Sequence, residues 1–161
     1  MKIQMKKLMK IEYRKAYLKD IDSMQELVFP EVEAGIILER SSDEIATNIR
    51  SYVLAYSKNE LVGFCALHIH AASLAEIRSL IVKDNYRGQK IGESLVNRCI
   101  DEAKTLGLQK LLSLTYKQTF FEKLGFVEIQ KESIPEHKIW ADCIKCKHFP
   151  ICNEVSLIKN L

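Results

Sequence analysis

The stretch that decides the fold is residues 75–92, which read Ala-Glu-Ile-Arg-Ser-Leu-Ile-Val-Lys-Asp-Asn-Tyr-Arg-Gly-Gln-Lys-Ile-Gly. Its first half has the alternating, β-branched pattern of a strand, and a polar loop then leads into a helical pattern that begins at Ile91. A helix N-terminus behind such a loop offers unpaired N–H groups and the positive end of the helix dipole to an anion. The loop is therefore a candidate phosphate site, although an ordinary strand-to-helix connection uses the same residue types.

The bulk properties of the chain are those of a globular protein. It has 161 residues, 47% of them apolar and 28% charged, and these values predict one domain over residues 1–161. The net charge of +3 is too small to indicate a nucleic-acid partner. No apolar run approaches the roughly 18 residues of a membrane span, and the basic segment 1–10, expected to be flexible, lacks the apolar core of a secretion signal. These features predict a cytoplasmic protein that binds neither nucleic acid nor a membrane.

Hydrophobic periodicity predicts both strands and helices along the chain. The strands are expected at 11–16, 52–57, 61–70, 74–82, 111–115, 126–130 and 154–158. The helices are expected from Ile21 to a kink or end at Pro30, over 31–40, after the capping box of Ser41 and Glu44, from Ile91 to a cap at Gly107, and over 120–124. Hairpin strands with one strand–helix–strand crossover predict an α+β fold, in which helices flank a mostly antiparallel twisted sheet of six to seven strands.

This element order, together with the loop sequence, resembles the GNAT acetyltransferase superfamily. The superfamily motif is Arg or Gln, two residues, Gly, one residue, then Gly or Ala, so that Arg87 and Gly92 match while Lys90 replaces the middle Gly. The resemblance implies that acetyl-CoA is the co-substrate and that its pyrophosphate lies on this loop. A Lys at that position still offers its backbone N–H, and its positive charge favours a phosphate. The cofactor-binding residues implied are Leu80, Ile81, Val82, Arg87, Gly88, Gln89, Lys90, Ile91, Gly92, Glu93 and Phe121.

A narrower resemblance covers nearly the whole chain. Five segments in the same order are similar to short stand-alone N-acetylglutamate synthases, which are amino-acid N-acetyltransferases of arginine biosynthesis. These segments are 33–41, 66–69, 75–80, 114–116 with 120–126, and 137–140 with the cysteine-containing tail. The resemblance implies a small-molecule acceptor, glutamate, whose α-amine attacks the thioester of acetyl-CoA directly.

Such a reaction needs a base for the acceptor amine and donors for the thioester oxygen. Glu76 is the first candidate for the base, with Arg78 on the same strand face, but a structural ion pair between them is an equal alternative. His68 and His70 compete for the same role, although each is more readily explained as a structural histidine of the sheet. The superfamily implies that the oxygen donors are backbone N–H groups near residues 80–82, where strand four separates from strand five.

The acid that protonates the leaving thiolate is less clear from the residues. The superfamily usually places a Tyr where this chain has Phe121, which carries no hydroxyl. Tyr116 is the available substitute, and the alternatives are that it is a loop aromatic and that solvent protonates the thiolate.

Recognition of an acceptor with two carboxylates favours arginine, because the guanidinium forms paired hydrogen bonds with a carboxylate. Arg14, Arg40 and Arg78 are the candidates, and Lys117 is a fourth cation near the expected acceptor side. For each of them an ordinary surface charge is the competing interpretation.

The chain has five cysteines, and without a secretion signal they are expected to be reduced thiols. Cys143, Cys146 and Cys152, with His148 between them, have the residue types of a zinc site. Because a second close pair is missing, packed or surface thiols are favoured over metal and no metal ligand is assigned.

Two other functions fit the same residues. One is acetylation of another small amine or amino acid, and the other is non-catalytic binding of acyl-CoA, which Phe121 and Lys90 suggest. The sequence does not fix the oligomeric state, and a homodimer is one candidate assembly.

Overall fold

The computed structural model describes residues 10–134 and 154–161. Its strands form one sheet in the order β1-β2-β3-β4-β5-β7-β6. The strands are β1 (Ile11–Lys15), β2 (Tyr52–Ser57), β3 (Glu60–Ala71), β4 (Leu74–Val82), β5 (Lys110–Thr115), β6 (Val127–Ile129) and β7 (Val155–Asn160). The helices are α1 (Ile21–Glu33), α2 (Ser42–Thr47), α3 (Ile91–Leu106) and α4 (Gln118–Lys123).

The predicted α+β fold is confirmed, since all paired strands are antiparallel except β4 and β5. Helix α3 is the crossover that connects these two parallel strands, as the sequence predicts. Strand pairing between β4 and β5 is short and ends at Glu76, which lies opposite Leu112. Beyond that point β4 continues to Val82 beside β3, and β5 continues to Thr115 beside β7. The two strands therefore leave a gap in the middle of the sheet.

A β-bulge in β4 changes the side of the sheet to which its last residues point. Arg78 pairs with Ala66 and Ile81 pairs with Phe64, so that Ser79 and Leu80 together oppose one residue of β3. Ser79 has a φ of 59°, in the left-handed region that a side chain disfavours. The extra residue shifts the alternation, and Ile81 packs on the face that carries Arg78 rather than on the face of α3.

Helix α3 covers one face of the sheet. Its apolar residues recur at the helical period, and the buried ones are Ile91, Leu95, Val96, Cys99, Ile100 and Ala103. Gly107 ends the helix at a φ of 86°, as predicted, because glycine enters the left-handed region without a steric cost. Cys65 and Cys99 are free thiols in this core, and the Cys99 contact together with burial raises the pKa of the Cys65 thiol.

The opposite face is covered by α1 and α2. Met24 of α1 and Ile45 of α2 pack there with Leu54, Phe64 and Ile81. The predicted cap of α2 is confirmed, since the Ser41 hydroxyl accepts a hydrogen bond of 3.1 Å from the Glu44 N–H. On this face, the end of α1 lies beside the gap between β4 and β5.

The prediction of a helix break at Pro30 and of a second helix over 31–40 is wrong. Helix α1 continues through Pro30 to Glu33, and the chain from 37 to 41 is irregular. Pro30 lies in the last helical turn with an exposed side chain, so that the ring faces solvent and only one backbone bond is lost. Gly35, at a φ of 73°, then turns the chain away from the helix.

Other boundaries move by a few residues. Helix α4 begins at Gln118 rather than at 120, β6 has three residues, and β7 extends to Asn160. The predicted tail features, Trp140, Cys143, Cys146, His148 and Cys152, lie outside the described residues. Within the described ranges, no helix is both long and apolar enough to cross a bilayer.

Candidate active site

A cleft of about 270 Å³ lies at the gap between β4 and β5. One wall is β4 from Glu76 to Ile81, and the second is the end of β5 with the residues that follow it, 113–117. The third wall is the end of α1 and the irregular segment after it, residues 31–33 and 35–40. Because the strands separate here, β4 backbone groups that point away from β3 have no partner in β5 beyond Glu76. The backbone of residues 80–82 falls in this region.

Glu76 is a buried carboxylate in the lining of the cleft, with only 2% of its surface exposed. One carboxylate oxygen, Oε1, lies 2.9 Å from Nε2 of His70. His68 is the direct cross-strand neighbour of Glu76, and its ring packs edge-on against the His70 ring at 4.8 Å. The structure thus brings together all three candidates for the base.

Arg40 and Arg78 both line the cleft, from different walls. Arg78 extends from β4 on the face of Glu76, and Arg40 comes from the segment before α2. Nη1 of Arg40 lies 3.0 Å from Oε2 of Glu44, which orients the guanidinium. Lys117, at the start of α4, adds a third cation to the lining.

Arg14 does not lie at the cleft. Its two Nη atoms donate hydrogen bonds of 2.9 Å to the two carboxylate oxygens of Asp20. The rings of Tyr17 and Tyr56 pack against the same guanidinium, at 5.0 and 4.6 Å from Cζ. The position of Arg14 therefore does not support the predicted contact with the acceptor, and the residue stabilises the β1–α1 connection instead.

Asp20 is the centre of that connection. The side-chain bond from Arg14, the Tyr17 N–H and the Tyr56 hydroxyl together hold the pKa of Asp20 at about 2. The partners of Asp20 come from β1, from β2 and from the segment between β1 and α1, which local sequence patterns do not bring together.

Two residues of the loop before α3 have left-handed backbone conformations. Gly88 has a φ of 80°, and Lys90, which replaces the middle glycine, has a φ of 62°. The first backbone bond of α3 runs from Ser94 N–H to Lys90 C=O at 3.0 Å. The N–H groups of Ile91, Gly92 and Glu93 consequently have no intrahelical acceptor and lie at the positive end of the helix dipole.

Two side chains of this loop, those of Arg87 and Ile91, have different surroundings. The lining of the cleft includes Arg87, whereas the Ile91 side chain is buried in the core. Arg87 donates through Nε to the Val82 carbonyl at 3.1 Å, and its Nη2 contacts Asp84 at 3.0 Å. A Cβ at Gly92 would meet Phe120 and Val82 at ordinary contact distances of 3.5 to 3.7 Å. A methyl group would therefore fit at position 92 without displacing these side chains.

Tyr116 and Phe121 line the opposite end of the cleft. Tyr116 follows β5 and is exposed. Phe121 is buried and packs edge-on against Phe120 and Phe126, with ring centroids 5.0 and 5.2 Å apart. The apolar packing explains why a ring without a hydroxyl is accommodated at position 121.

Three features of the site were missed from the sequence. The bulge at Ser79 had no signal beyond a small polar residue inside a β-branched strand. The side chain of Ser113 is buried on β5, where the pattern indicated only a strand. The segment 34–40 was predicted as helix, although its similarity to synthase sequences pointed to a functional role. Among the residues that the structure describes, no group of three or more His, Cys, Asp or Glu side chains is arranged to hold a metal ion.

Comparison with known proteins matches residues 13–126 to the acetyltransferase (GNAT) family. An uncharacterized N-acetyltransferase of Chlorobaculum tepidum is 34% identical over 148 residues, which cover 92% of this chain and 95% of that protein. The amino-acid acetyltransferase of Photorhabdus laumondii is 30% identical over 129 residues, 79% of this chain. This alignment spans only 29% of that longer relative.

Solved structures show the same architecture. The N-acetylglutamate synthase of Neisseria gonorrhoeae, in complex with coenzyme A and N-acetyl-glutamate, superimposes with a TM-score of 0.83 at 26% identity. The match covers 94% of this chain and 35% of the synthase. A Mycobacterium tuberculosis protein in complex with CoA has a TM-score of 0.81 at 24% identity, over 93% of this chain and 99% of that protein, and supports the fold alone. The family match and the full-length relative together show that this chain belongs to the GNAT acetyltransferase family, whose members transfer an acetyl group from acetyl-CoA to an amine.

Proposed function

We propose that this protein transfers the acetyl group of acetyl-CoA to the α-amine of L-glutamate, as an N-acetylglutamate synthase at the first step of arginine biosynthesis. The observation that carries the proposal is the convergence of Arg40 and Arg78 on one cleft with the buried Glu76. The relatives named amino-acid acetyltransferase and the similarity to the gonococcal synthase support it. The coverage of these longer proteins is partial, so that only the acetyltransferase part is compared.

The acceptor site is proposed to hold glutamate between two guanidinium groups. Each guanidinium can form paired, charge-assisted hydrogen bonds with a carboxylate, and glutamate has two carboxylates. Arg40 and Arg78 approach from separate walls, which suits a ligand with separated anionic ends. Lys117 adds a charge that favours the same ligand.

The cofactor site is proposed at the loop and first turn of α3. The N–H groups of residues 88–93 would donate to the pyrophosphate, and the Lys90 side chain would add a positive charge. Arg87 would exchange its contacts with Asp84 and Glu31 for a phosphate oxygen. Phe121 and the end of β4 would contact the pantetheine arm where it enters the gap.

In this proposal, Glu76 accepts the proton that the ammonium group of glutamate must lose before its nitrogen can attack the thioester carbon. The backbone N–H groups near 80–82 donate to the thioester oxygen as its negative charge grows. The C–N bond forms, the nitrogen releases its second proton to water, the C–S bond breaks, and the thiolate takes a proton from Tyr116 or from water. A cytoplasmic location stays a prediction from the sequence.

A coupled assay of thiol release with acetyl-CoA and a panel of amino acids and amines tests the function. We expect the highest kcat/KM with L-glutamate, a lower value with L-aspartate because its carboxylates are closer together, and little turnover with apolar amino acids. Turnover that is fastest with another amine would reject glutamate while preserving acetyl transfer.

A cationic amine is the second candidate acceptor. Its support is the acidic part of the cleft lining, since Glu31, Glu33 and Glu39 lie on the same wall as Arg40. A polyamine or a lysine-like acceptor would use these carboxylates, and the amine panel includes both. A non-catalytic acyl-CoA-binding module, the third possibility, predicts CoA binding by calorimetry without thiol release for any amine.

A further inference from the structure

His70 has a structural relationship with Glu76 that the reaction described above does not use. Nε2 of His70 lies 2.9 Å from Oε1 of Glu76, and the side chains are only 4% and 2% exposed. A carboxylate in so buried a position needs a hydrogen-bond donor, because its desolvation is otherwise costly. His70, on the strand next to Glu76, lies within hydrogen-bond distance of that carboxylate.

The backbone of β3 is irregular at this residue. Ile69 pairs with Ala75 and Ala71 pairs with Leu74, so that His70 is an extra residue in a β-bulge. Bulges reorient side chains and are common beside active sites. Since the direct cross-strand neighbour of Glu76 is His68, the bulged residue reaches the carboxylate diagonally.

The ring of His70 is held from its other side. His68 packs edge-on against it, with the ring centroids 4.8 Å apart and an interplanar angle of 75°. The bulge and the His68 ring both restrict the rotation of His70, and the hydrogen bond passes that restriction to the Glu76 carboxylate. The bulge, the His68 ring and the hydrogen bond together hold the side chain of Glu76, which lines the cleft.

We propose that His70 is a positioning residue for Glu76, which donates Nε2–H to Oε1 and fixes the carboxylate in the orientation that accepts a proton from the acceptor amine. The inference rests on the proposed role of Glu76 as the base. His70 itself exchanges no proton with the acceptor, and its effect is on the rate of the step that Glu76 performs.

A double-mutant cycle with acetyl-CoA and the best acceptor tests this role. His70→Leu removes the donor and is expected to lower kcat by about tenfold or more, with KM for acetyl-CoA changed less than about twofold. His70→Gln places an amide donor at a similar distance and is expected to restore most of kcat. In a Glu76→Gln background, His70→Leu should cause less than about a twofold further loss, because the base is already absent. Ile69→Thr, at an exposed neighbouring position, is the matched control with unchanged kcat.

Two results of the cycle would overturn the proposal. The first is an equal loss from His70→Leu in both backgrounds, which means a structural effect independent of Glu76. The second is an unchanged kcat in His70→Leu. Long-range ¹H–¹⁵N spectra of the His rings, recorded where His70 is neutral, give a readout without turnover. They should show the proton of His70 on Nε2, and a bare Nε2 would contradict the hydrogen bond on which the role depends.

The failure of this inference differs from the failure of the proposed function. If another amine is the best acceptor, the cycle is measured on that amine and the glutamate assignment alone fails. If the cycle is additive while glutamate is turned over, the role of His70 alone fails. Absence of turnover with every amine overturns both, whatever the tautomer of His70.

Discussion

The guanidinium of Arg87 contacts the carboxylate of Glu31 at 3.6 Å, and this contact joins the loop before α3 to the end of α1. Asp84 contacts the same Nη2 atom at 3.0 Å. The loop before α3 and the end of α1 are therefore linked through one side chain. Phosphate oxygens of acetyl-CoA would compete with both carboxylates for it.

Arg87→Ala is expected to raise the KM for acetyl-CoA by about tenfold, because it removes one charge-assisted bond to phosphate. Initial rates at saturating acceptor measure this effect. Lys104→Ala, which removes the same charge from the far end of α3, is the control and should leave KM unchanged. Equal KM values for the Arg87 variant and the wild type would exclude Arg87 from the cofactor site.

Lys90 occupies a left-handed conformation at a φ of 62°. Lys90→Gly should stabilise the fold by up to about 1 kcal/mol, since glycine has no Cβ to strain there. Lys90→Ala removes the charge but keeps the strain, and we expect no gain in stability from it. Urea unfolding of the two variants separates the strain from the charge, and their affinities for CoA should fall equally. If the glycine variant is no more stable than the alanine variant, the backbone at position 90 is not strained by a Cβ.

Arg78 and Arg14 are expected to differ in their effects on the acceptor. Arg78→Ala should raise the KM for glutamate at least about tenfold, and Arg78→Lys should recover it only in part, because lysine cannot bond a carboxylate in pairs. Arg14→Ala should leave that KM unchanged, since its guanidinium is bound to Asp20 away from the cleft. The reverse order of effects would place the acceptor at the Arg14 side of the sheet.

The Arg14–Asp20 pair predicts how stability depends on pH. The pKa of Asp20 lies near 2 in the folded protein, below the ordinary value of 3.8, chiefly because Arg14 donates to it. A carboxylate with a lowered pKa stabilises the fold above its unfolded pKa, and that stabilisation is lost as the pH falls through its folded pKa. The shift corresponds to about 2 kcal/mol at neutral pH, as an order of magnitude.

Urea unfolding of Asp20→Asn and the wild type at several pH values measures this contribution. The difference in unfolding free energy should be greatest near neutral pH and should shrink as the pH falls below about 4 toward 2. Asp22→Asn, an exposed change in the first turn of α1, is the control and should show a smaller difference, because only the helix dipole is expected to act on that carboxylate. A difference for Asp20→Asn that does not change with pH would mean that its carboxylate charge is not what stabilises the connection.

The elements of this fold could largely be predicted from local pattern. The strand over 74–82, the start of α3 at Ile91 and the cap at Gly107 follow from periodicity and glycine conformation, which are properties of a few adjacent residues. The prediction that the first helix ends at Pro30 failed because a helix tolerates a proline near its end where the ring faces solvent. That condition depends on tertiary position, which the local sequence does not contain.

The site was harder to predict than the fold. The cofactor loop is contiguous, and its residues could be named from one stretch of sequence. The residues proposed for the acceptor side come from β4, β5 and the segment after α1, so that the sequence did not distinguish Arg14 from Arg40 before their partners were known. The His70–Glu76 bond likewise depends on a bulge that alternation of polar and apolar residues does not reveal.

The most direct test of the central claim is identification of the acetylated product after incubation with acetyl-CoA and an equimolar mixture of amino acids and amines. The account predicts that mass spectrometry finds the acetyl group mainly on the α-nitrogen of L-glutamate, and that Glu76→Gln forms far less of this product while binding acetyl-CoA normally. Acetylation mainly of a cationic amine, or an unchanged rate in Glu76→Gln, would contradict the account.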